Sequence, residues 1–356
     1  MSADEFDVIR ELFAPHARSA AARALMDDAA VLEASGRLVV TTDAVIEGVH
    51  FLPDDPVETV AMKALRVNVS DIVAKGARPT AALLSLAWSE TRPAAELKTF
   101  ADALGRDLSF FGIDLIGGDT TSTPGPLMIS ITLFGEPLGA RVPARSEAQI
   151  GEDVWLIGGE IGSAWLGLQL RKGEIALDRL RVERDEFQAQ AESRLLAQQM
   201  PEYLKLPNEE FDAEAAWLMT AYLAPFVRPE CAVVVSKFAS ASMDVSDGLA
   251  ADAQKLAAAS GVALRIEINR LPFSIPAERW AFTGGDVRKL ITGGDDYVVL
   301  FTAACDLREA IEAAEGKALR LSRIGKVEAG RGVTFVDGRG EPIVIPEAGY
   351  SHKLGR

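Results

Sequence analysis

The sequence predicts a mixed α/β protein with two domains. Its 356 residues exceed the length of one typical domain and are ample for an ordinary apolar core. Short apolar runs typical of strands alternate with longer segments of helical periodicity. The stretch GEPLGARVPARSEAQIGED near residue 140 is rich in Pro, Gly and Arg, as linkers are. We therefore expect one domain over residues 1–140 and a second over residues 141–356.

The N-terminal half contains a succession of short strands around one helix. Residues 38–42, LVVTT, form an apolar, β-branched run that ends in polar residues, which predicts a strand with Asp43 at its end. Residues 79–87, 113–116 and 127–135 give similar runs, and GGDTTSTPGP between the last two predicts a turn. Between residues 96 and 111, apolar side chains recur at helical spacing before Gly112, which predicts an amphipathic helix. This order favours a layered α/β domain.

The C-terminal half is predicted to begin with the strand VWLIGG and a glycine-rich turn into a helix at Gly162. Residues 171–212 are dense in charge and poor in Gly, which favours a solvent-facing helical insertion over a site. The halves also share a pattern, because NVSD at 68–71 and DVSD at 244–247 each precede an apolar helix. Two copies of a strand, an acidic end and a helix would suggest half-domains facing one cleft, with a chance match as the alternative.

Composition excludes several classes of protein. The net charge of −15 disfavours nonspecific nucleic-acid binding, which depends on Lys and Arg. The longest apolar stretches are far shorter than the roughly 18 residues of a membrane span. The acidic start, MSADEFDVIRELF, is unlike a secretory signal, so we expect a cytoplasmic protein with no membrane partner. Cys231 and Cys305 are too few for a disulfide framework or a thiolate zinc site.

Acidic residues recur where the predicted strands end, in both halves of the chain. Singly, each is explained by a helix cap or a turn. If several converge, cations must offset their repulsion, and Mg²⁺ prefers carboxylates together with water and substrate phosphates. The glycine pair before Asp119 would let backbone N–H groups approach a phosphate, unless it forms an ordinary tight turn. The sequence lacks GxxxxGK[ST], so a P-loop is not supported.

Six motifs occur in an order and spacing that together carry a resemblance: DDAAV, TTDAVIEGVHF, KALRVNVSDIVAKGA, LIGGDTTSTPGP, SMDVSDGLAADAQKL and GGDDYVVLFT. With the C-terminal GYSH, they resemble the thiamine-monophosphate kinase family of the aminoimidazole-ribonucleotide-synthetase-like superfamily. The resemblance spans most of the chain, interrupted chiefly by the charged insertion.

This resemblance implies a fold and an activity. The N-terminal domain would bind ATP and metal and form a β-barrel across a homodimer, and the C-terminal domain would close the active-site cleft. The enzyme would transfer the γ-phosphoryl group of ATP directly to thiamine monophosphate, giving thiamine diphosphate. It would use several Mg²⁺ ions and no general base, because the acceptor phosphate is already nucleophilic.

The resemblance also implies roles for individual residues, matched motif by motif. The metal site would comprise Asp28, Thr41, Thr42, Asp43, Asp71, Asp119, Asp244 and Asp247. The contacts to ATP would be Gly118, Asp119, Arg145 and Ser246. The contacts to the acceptor would be His50, Asp295 and Tyr350.

Two positions depart from the family pattern, since Met26 replaces a Gly and Asp295 replaces a Glu. The first would reshape a turn, and the second would shorten a substrate contact by one methylene. Two alternatives remain at this point. One is a sister enzyme such as aminoimidazole ribonucleotide synthetase, and the other is a non-catalytic nucleotide- or metal-binding regulator. Selenophosphate synthetase fits less well, because no Cys precedes Cys231.

Overall fold

The chain folds into two compact units, Met1–Val142 and Pro143–Arg356, in this computed structural model. The structure describes residues 8–25, 30, 32, 36–176, 180, 213–314, 319–346 and 349. The mixed α/β class predicted from the sequence is confirmed. Among these residues no helix is both long and apolar enough to cross a bilayer.

The first unit is a four-stranded sheet covered by two long helices. Short helical turns at Ile9–Phe13, Ala14–His16 and Ala20–Leu25 precede the sheet. The main elements are β1 Val39–Ile46, α1 Val57–Ala74, β2 Ala77–Ser89, α2 Ala94–Phe111, β3 Asp114–Thr123 and β4 Met128–Pro137. The strand order is β1-β4-β2-β3, with β4 antiparallel to β1 and β2, and β2 parallel to β3. Within this unit, β1 and β3 are therefore the two sheet edges.

Side chains alternate between the two faces along each strand of this sheet, and only one face packs against the helices. On β4, Ile129, Ile131 and Leu133 are buried under the helices, whereas Met128 on the other face is 40% exposed. Helix α1 packs on β1, β2 and β4, and nearly all of its residues are buried. A buried, two-pronged ion pair between Arg66 and Asp107, with both N···O distances 2.8 Å, joins α1 to α2.

The second unit is built on a seven-stranded sheet of order β11-β10-β7-β9-β5-β8-β6. Its strands are β5 Asp153–Ile157, β6 Ala241–Asp244, β7 Ala263–Glu267, β8 Val299–Ala303, β9 Ser322–Glu328, β10 Gly332–Val336 and β11 Pro342–Ile343. The described helices are α3 Ser163–Arg171, α4 Ala213–Leu223, α5 Cys231–Phe238, α6 Leu249–Ser260, α7 Ile275–Phe282, α8 Val287–Thr292 and α9 Arg308–Ala313.

The core of the second unit lies at the centre of its sheet. All residues of β5, β6 and β8 are buried, and the rings of Trp155 and Phe301 stack with centroids 6.2 Å apart. Helix α6 packs on β6, β7 and β10 through its apolar face. Because β6 leads directly into the loop before α6, this packing fixes the ends of both elements around that loop.

Several sequence predictions about single elements are confirmed. Helix α2 covers the predicted segment and ends at Gly112, whose φ of 67° places it in the left-handed conformation common at helix ends. Helix α3 begins after Gly162 as expected. Of the predicted insertion at 171–212, all but residues 171–176 and 180 lie outside the described residues.

Three predictions that placed an acidic residue at a strand end or turn are wrong. Asp43 lies inside β1, which continues to Ile46. Asp71 lies in the last turn of α1, because the β-branched run before it is part of a helix buried on nearly all sides. Gly118 and Asp119 lie within β3, which continues through the predicted turn to Thr123. The first copy of the proposed repeat is therefore a helix, and the repeat does not hold.

Candidate functional site

On the first unit, an oxygen-rich patch forms where β1 meets the C-terminal end of α1. The hydroxyl of Thr41 donates to Asp71 Oδ2 at 2.5 Å. The backbone N–H of Asp43 donates to Asn68 Oδ1 at 2.9 Å, and Asn68 Nδ2 donates to the carbonyl of Ala64 at 3.0 Å. Asn68 and Asp71 are three residues apart on α1 and therefore face the same strand. The fold thus brings together Thr41, Asp43 and Asp71 as the sequence predicts.

Thr42 belongs to the opposite face of β1, because side chains alternate along a strand. Its hydroxyl accepts a hydrogen bond from Thr132 on β4 at 3.1 Å. Asp119 lies on β3, in register with Ser85 of β2 and Ser130 of β4, and so belongs to the same face as Thr42. However, β1 and β3 are separated by three inter-strand spacings, or about 14 Å. Within one chain, the sheet keeps the β1 residues and Asp119 apart.

Gly118 lies where β3 approaches β2 closely. A Cβ atom at this position would lie 1.8 Å from the carbonyl oxygen of Leu84, so a side chain cannot be accommodated. Beside it, residues 117–120 line a groove whose opposite wall includes Ile9, Phe13 and Leu25 of the N-terminal segment. The absence of a side chain at Gly118 therefore lets β3 pack against the backbone of β2.

His50 lies in the turn that follows β1. Its Nδ1 accepts a hydrogen bond from the backbone N–H of Ile46 at 3.0 Å. Because Nδ1 accepts this bond, Nε2 is the nitrogen that can donate a hydrogen bond. The bond also orients the imidazole relative to the end of β1. His50 is half-buried, so its position is set by the turn itself.

On the second unit, the DVSDG loop between β6 and α6 is organised by Asp252. Asp244 is the last residue of β6, as the sequence predicts. The carboxylate of Asp252 accepts the backbone N–H groups of Ser246 and Asp247, each at 2.9 Å. The ammonium of Lys255 bonds Asp252 Oδ1 at 2.7 Å and also contacts Asp247 Oδ2. Burial alone would lower the pKa of Lys255, but these hydrogen bonds outweigh it and the pKa is raised.

The GGDDY loop lies directly beside the DVSDG loop. The N–H of Asp295 donates to the carbonyl of Ser246, and that of Tyr297 to the carbonyl of Val245, both at 2.8 Å. Asp295 and Tyr297 have φ angles of 63° and 50°, which non-glycine residues rarely adopt. The Tyr297 hydroxyl donates to Asp295 Oδ1 at 3.0 Å. These bonds bring Ser246 and Asp295, predicted to contact different substrates, into one loop pair.

Asp296 is the most strongly perturbed carboxyl group of this loop pair. It is only 8% exposed, and its Oδ1 accepts the backbone N–H of Gly162 at 2.8 Å. Its Oδ2 is buried and has no hydrogen-bond partner among the described residues. Burial raises its pKa well above the ordinary range of an aspartate, which favours the neutral form of this carboxyl group.

A pocket in the second unit opens beside Asp295 and Asp296. It is lined also by Trp217, Arg228 and Glu160, among others. The indole N–H of Trp217 donates to Glu160 Oε2 at 3.2 Å, and Arg320 forms an ion pair with Glu160. The aromatic and charged walls are thus already bonded to one another and give the pocket a fixed shape.

Of the three remaining predicted residues, only Arg145 is described. It is exposed, and its carbonyl accepts a hydrogen bond from the Ser260 hydroxyl at 2.9 Å. Asp28 and Tyr350 lie outside the described residues, as does Met26. The described neighbour Gly349 packs on the DVSDG loop, since a Cβ there would lie 2.4 Å from the carbonyl oxygen of Asp247.

The donors in each unit fit a hard divalent cation. No group of three Asp, Glu, His or Cys side chains that could hold a metal ion occurs in the described part of the chain. The donors around Asp71 and around Asp247 are carboxylate and hydroxyl oxygens, the ligands that Mg²⁺ prefers. Mg²⁺ usually takes only one or two carboxylates and completes its shell with water and phosphate oxygens. Sparse carboxylates therefore suit Mg²⁺ bound together with a phosphate ligand.

Sequence reasoning missed Asn68, Asp252 and Lys255. Each contacts a predicted site residue rather than being one. The signal for Asp252 was available, because an acidic residue among the alanines of GLAADAQKLAAASG needs a partner when that helix packs on a sheet. No comparable signal marks Asn68, whose role depends on where β1 lies.

Comparison with known proteins identifies both units. The model of the AIR synthase related protein N-terminal domain matches residues 26–136, and that of the C-terminal domain matches residues 221–338. Three hydrogenase maturation protein HypE structures, 17–19% identical to this chain with TM-scores of 0.66 to 0.68, share the fold.

Curated relatives and solved structures extend the similarity over nearly the whole chain. The thiamine-monophosphate kinase of Caulobacter vibrioides is 33% identical over 98% of this chain and 90% of its own length. That of Aquifex aeolicus is 32% identical over 88% of this chain and 89% of its own. The structure of AaThiL complexed with AMPPCP and TMP covers 91% of this chain and 89% of its own, with a TM-score of 0.71 and 30% identity. This chain belongs to the thiamine-monophosphate kinase family, within the AIR synthase related proteins.

Proposed function

We propose that this chain transfers the γ-phosphoryl group of ATP to the phosphate of thiamine monophosphate, giving thiamine diphosphate and ADP. The observation that carries the proposal is 33% identity to a thiamine-monophosphate kinase over 98% of the chain. A similar solved structure is complexed with AMPPCP and TMP, which supports the same pair of substrates here. ATP would be the phosphoryl donor. Because ATP is abundant in the cytoplasm, we propose that the reaction takes place there.

The residues serve positioning and electrostatics rather than covalent chemistry. Phosphoryl transfer requires donor and acceptor oxygens in line and charge offset on the transferring group. Gly118 would bind the nucleotide at β3 of the first unit. In the second unit, Asp252 holds the backbone of Ser246, which would also contact ATP. Arg145 adds a positive charge for ATP. The acceptor phosphate is itself the nucleophile, so we assign no general base.

Each unit would contribute its own Mg²⁺ ligands. In the first unit these would be Asp28, Thr41, Thr42, Asp43, Asp71 and Asp119, and in the second unit Asp244 and Asp247. When bound, Mg²⁺ would neutralise charge on the phosphate oxygens. In the first unit, the hydrogen bonds from Thr41 to Asp71 and from Asp43 to Asn68 fix the position of β1 against α1.

His50, Asp295 and Tyr350 would bind the acceptor. The turn bond to Ile46 fixes the His50 ring, and the Tyr297 hydroxyl fixes the Asp295 carboxylate. Asp295 is one methylene shorter than the family's Glu, and the left-handed conformation at this position determines how far it reaches. Tyr350 would offer an aromatic face to the cationic heterocycle.

A homodimer would complete the site on the first unit. Among the described strands of the first unit, β1 and β3 are the sheet edges. The face of the sheet opposite α1 exposes the apolar Val40 and Met128, at 54% and 40%. A barrel closed across two protomers would remove these edges and cover this face. Closure about an axis along the barrel would set β3 of one protomer beside β1 of its partner. Asp119 of one protomer and Thr42 of its partner, which belong to the same face of the sheet but are kept apart within one chain, would then lie on neighbouring strands.

One assay tests the activity. Purified protein is incubated with ATP, Mg²⁺ and thiamine monophosphate, and ADP and thiamine diphosphate are quantified by chromatography. We expect the two products in equal amounts. ADP formed without thiamine diphosphate, or only with an aminoimidazole ribonucleotide precursor, would indicate a sister enzyme. ATP binding without ADP release would indicate a regulator.

A further inference from the structure

The ammonium group of Lys255 on α6 lies against the loop that precedes this helix. The Lys255 ammonium lies 2.7 Å from Asp252 Oδ1 and also contacts Asp247 Oδ2, so that one positive charge bridges two carboxylates. Lys255 follows Asp252 by three residues on α6, which places both side chains on one face of the helix. All three residues belong to described, closely packed structure at the β6–α6 junction.

The two carboxylates differ in exposure and in the number of hydrogen bonds that hold them. The Asp252 side chain is fully buried, and its Oδ2 is occupied by the N–H groups of Ser246 and Asp247. The Asp247 side chain is 31% exposed, and the structure shows its Oδ2 bonded to Lys255. Asp252 is therefore a fixed anchor for the ammonium, whereas Asp247 is the carboxylate that an incoming cation reaches.

An ammonium and a divalent cation use the same feature of a carboxylate, namely its negative oxygens. A metal ion at Asp247 lies within a few ångströms of the bridging ammonium, and like charges at that distance repel strongly in a partly buried site. Lys255 retains Asp252 as a partner if it leaves Asp247, so its departure leaves no buried charge unpaired. Movement of the ammonium away from Asp247 would therefore give up one contact and keep the one to the buried carboxylate.

We propose that Lys255 is a built-in competitor for divalent cations at Asp247: it holds this carboxylate in the metal-free protein and moves to Asp252 alone when a metal ion binds. The proposal rests on the proposed function, because that function makes Asp247 a metal ligand. The competition sets a minimum metal-ion concentration for binding at Asp247. A divalent ion that arrives bound to a nucleotide displaces the ammonium, whereas a free ion at low concentration does not.

The test is Mn²⁺ binding to the nucleotide-free protein, followed by the electron paramagnetic resonance signal of the unbound ion. Lys255→Met, which keeps an unbranched apolar chain and removes the charged end, should bind Mn²⁺ about tenfold more tightly than the unaltered chain or bind one further ion. Lys255→Arg, which keeps the charge, should behave as the unaltered chain. Lys326→Met removes an exposed charge from the same unit and should change nothing. In Lys255→Met/Asp247→Asn the gain should disappear.

Unchanged or weaker Mn²⁺ binding by Lys255→Met would overturn the proposal, as would a gain that survives Asp247→Asn. If Lys255→Met does not fold, as judged by circular dichroism, Lys255→Gln gives the same comparison with a neutral donor. Kinase activity of the unaltered chain is measured separately. A tighter Mn²⁺ site in a chain without kinase activity would overturn the proposed function alone, and normal kinase activity with unchanged Mn²⁺ binding would overturn the competitor alone.

Discussion

The backbone N–H of Asp295 donates a hydrogen bond of 2.8 Å to the carbonyl of Ser246. This bond joins the loop proposed to contact the acceptor to the loop proposed to contact ATP. Gly294 tightens the junction, since a Cβ there would lie 2.7 Å from the same carbonyl oxygen. If both proposed roles hold, one hydrogen-bonded loop pair would contact both substrates.

Replacement of Tyr297 by Phe should weaken acceptor binding selectively. The change removes the hydroxyl that donates to Asp295 Oδ1 and leaves the ring in place. The loss of one such bond corresponds to about 1 kcal/mol, or a roughly fivefold increase in KM for thiamine monophosphate. The KM for ATP should stay unchanged. Steady-state kinetics with each substrate varied in turn will measure this, and equal increases in both values would assign Tyr297 to the fold instead.

Neutralising Asp43 or Asp71 should reduce turnover strongly. Asn keeps the size of either side chain and removes the charge, so the patch should lose its hold on Mg²⁺ and phosphate. We expect kcat to fall by at least about a hundredfold, the scale of a lost electrostatic contact to the transition state. Asp102→Asn is the control, because Asp102 pairs with Lys98 on the exposed side of α2. Near-normal turnover in both site variants would remove these residues from the mechanism.

Mixing two inactive proteins should restore activity if the site is shared between protomers. Asp43→Asn and Asp119→Asn are unfolded and refolded together, and mixed dimers form with one site that has both carboxylates. Random assortment gives about a quarter of the sites intact, and so about a quarter of normal activity. Refolding each variant alone is the control. No recovery, despite a dimer by light scattering, would place both residues in one protomer's site.

Gly118→Ala should destabilise the first unit or block its folding. The added Cβ would overlap the carbonyl of Leu84, which is backbone and cannot rotate away. Overpacking of this kind costs about 1 to 3 kcal/mol, and more where the strands cannot separate. Gly36→Ala is the matched control, because a Cβ at that position meets nothing within 4 Å. Urea denaturation compares the two, and equal midpoints would show that β3 adjusts freely.

Asp296→Asn should stabilise the protein increasingly as pH rises. Burial raises the pKa of Asp296, so the folded state keeps a proton that the unfolded state loses above about pH 3.9. The stability of the unaltered chain therefore falls as pH rises from that value through the folded pKa, whereas Asn has no proton to lose. The melting temperatures of the two proteins should diverge as pH rises above about 4. A difference that stays constant with pH would contradict a raised pKa of Asp296.

The sequence predicts elements with a single apolar stripe better than elements buried on all sides. Helix α2 was located because its apolar residues repeat at helical spacing and Gly112 ends it. Helix α1 was taken for a strand near VNVSD, because a helix that is apolar all round has no period to distinguish it. Asp119 was assigned to a turn because glycines precede it, although those glycines serve the approach of β3 to β2.

The motifs predicted candidate site residues, but they did not predict the residues that hydrogen-bond to them. The family resemblance of the ordered motifs predicted roles for Asp71, Asp244 and Asp247, and these roles stay predictions. The hydrogen bonds of Asn68 and Asp252 to backbone N–H groups depend on where a distant strand or loop lies. Such contacts are tertiary, and a single sequence carries no spacing rule for them.

The missing side chain of Gly118 also has an evolutionary consequence. Every amino acid that one nucleotide change can introduce at a glycine codon carries a Cβ, and the carbonyl of Leu84 leaves no space for it. A lineage cannot drift through this position by single neutral steps, because β2 must first move. Descendants of this chain should therefore keep the glycine even where the surrounding strand diverges.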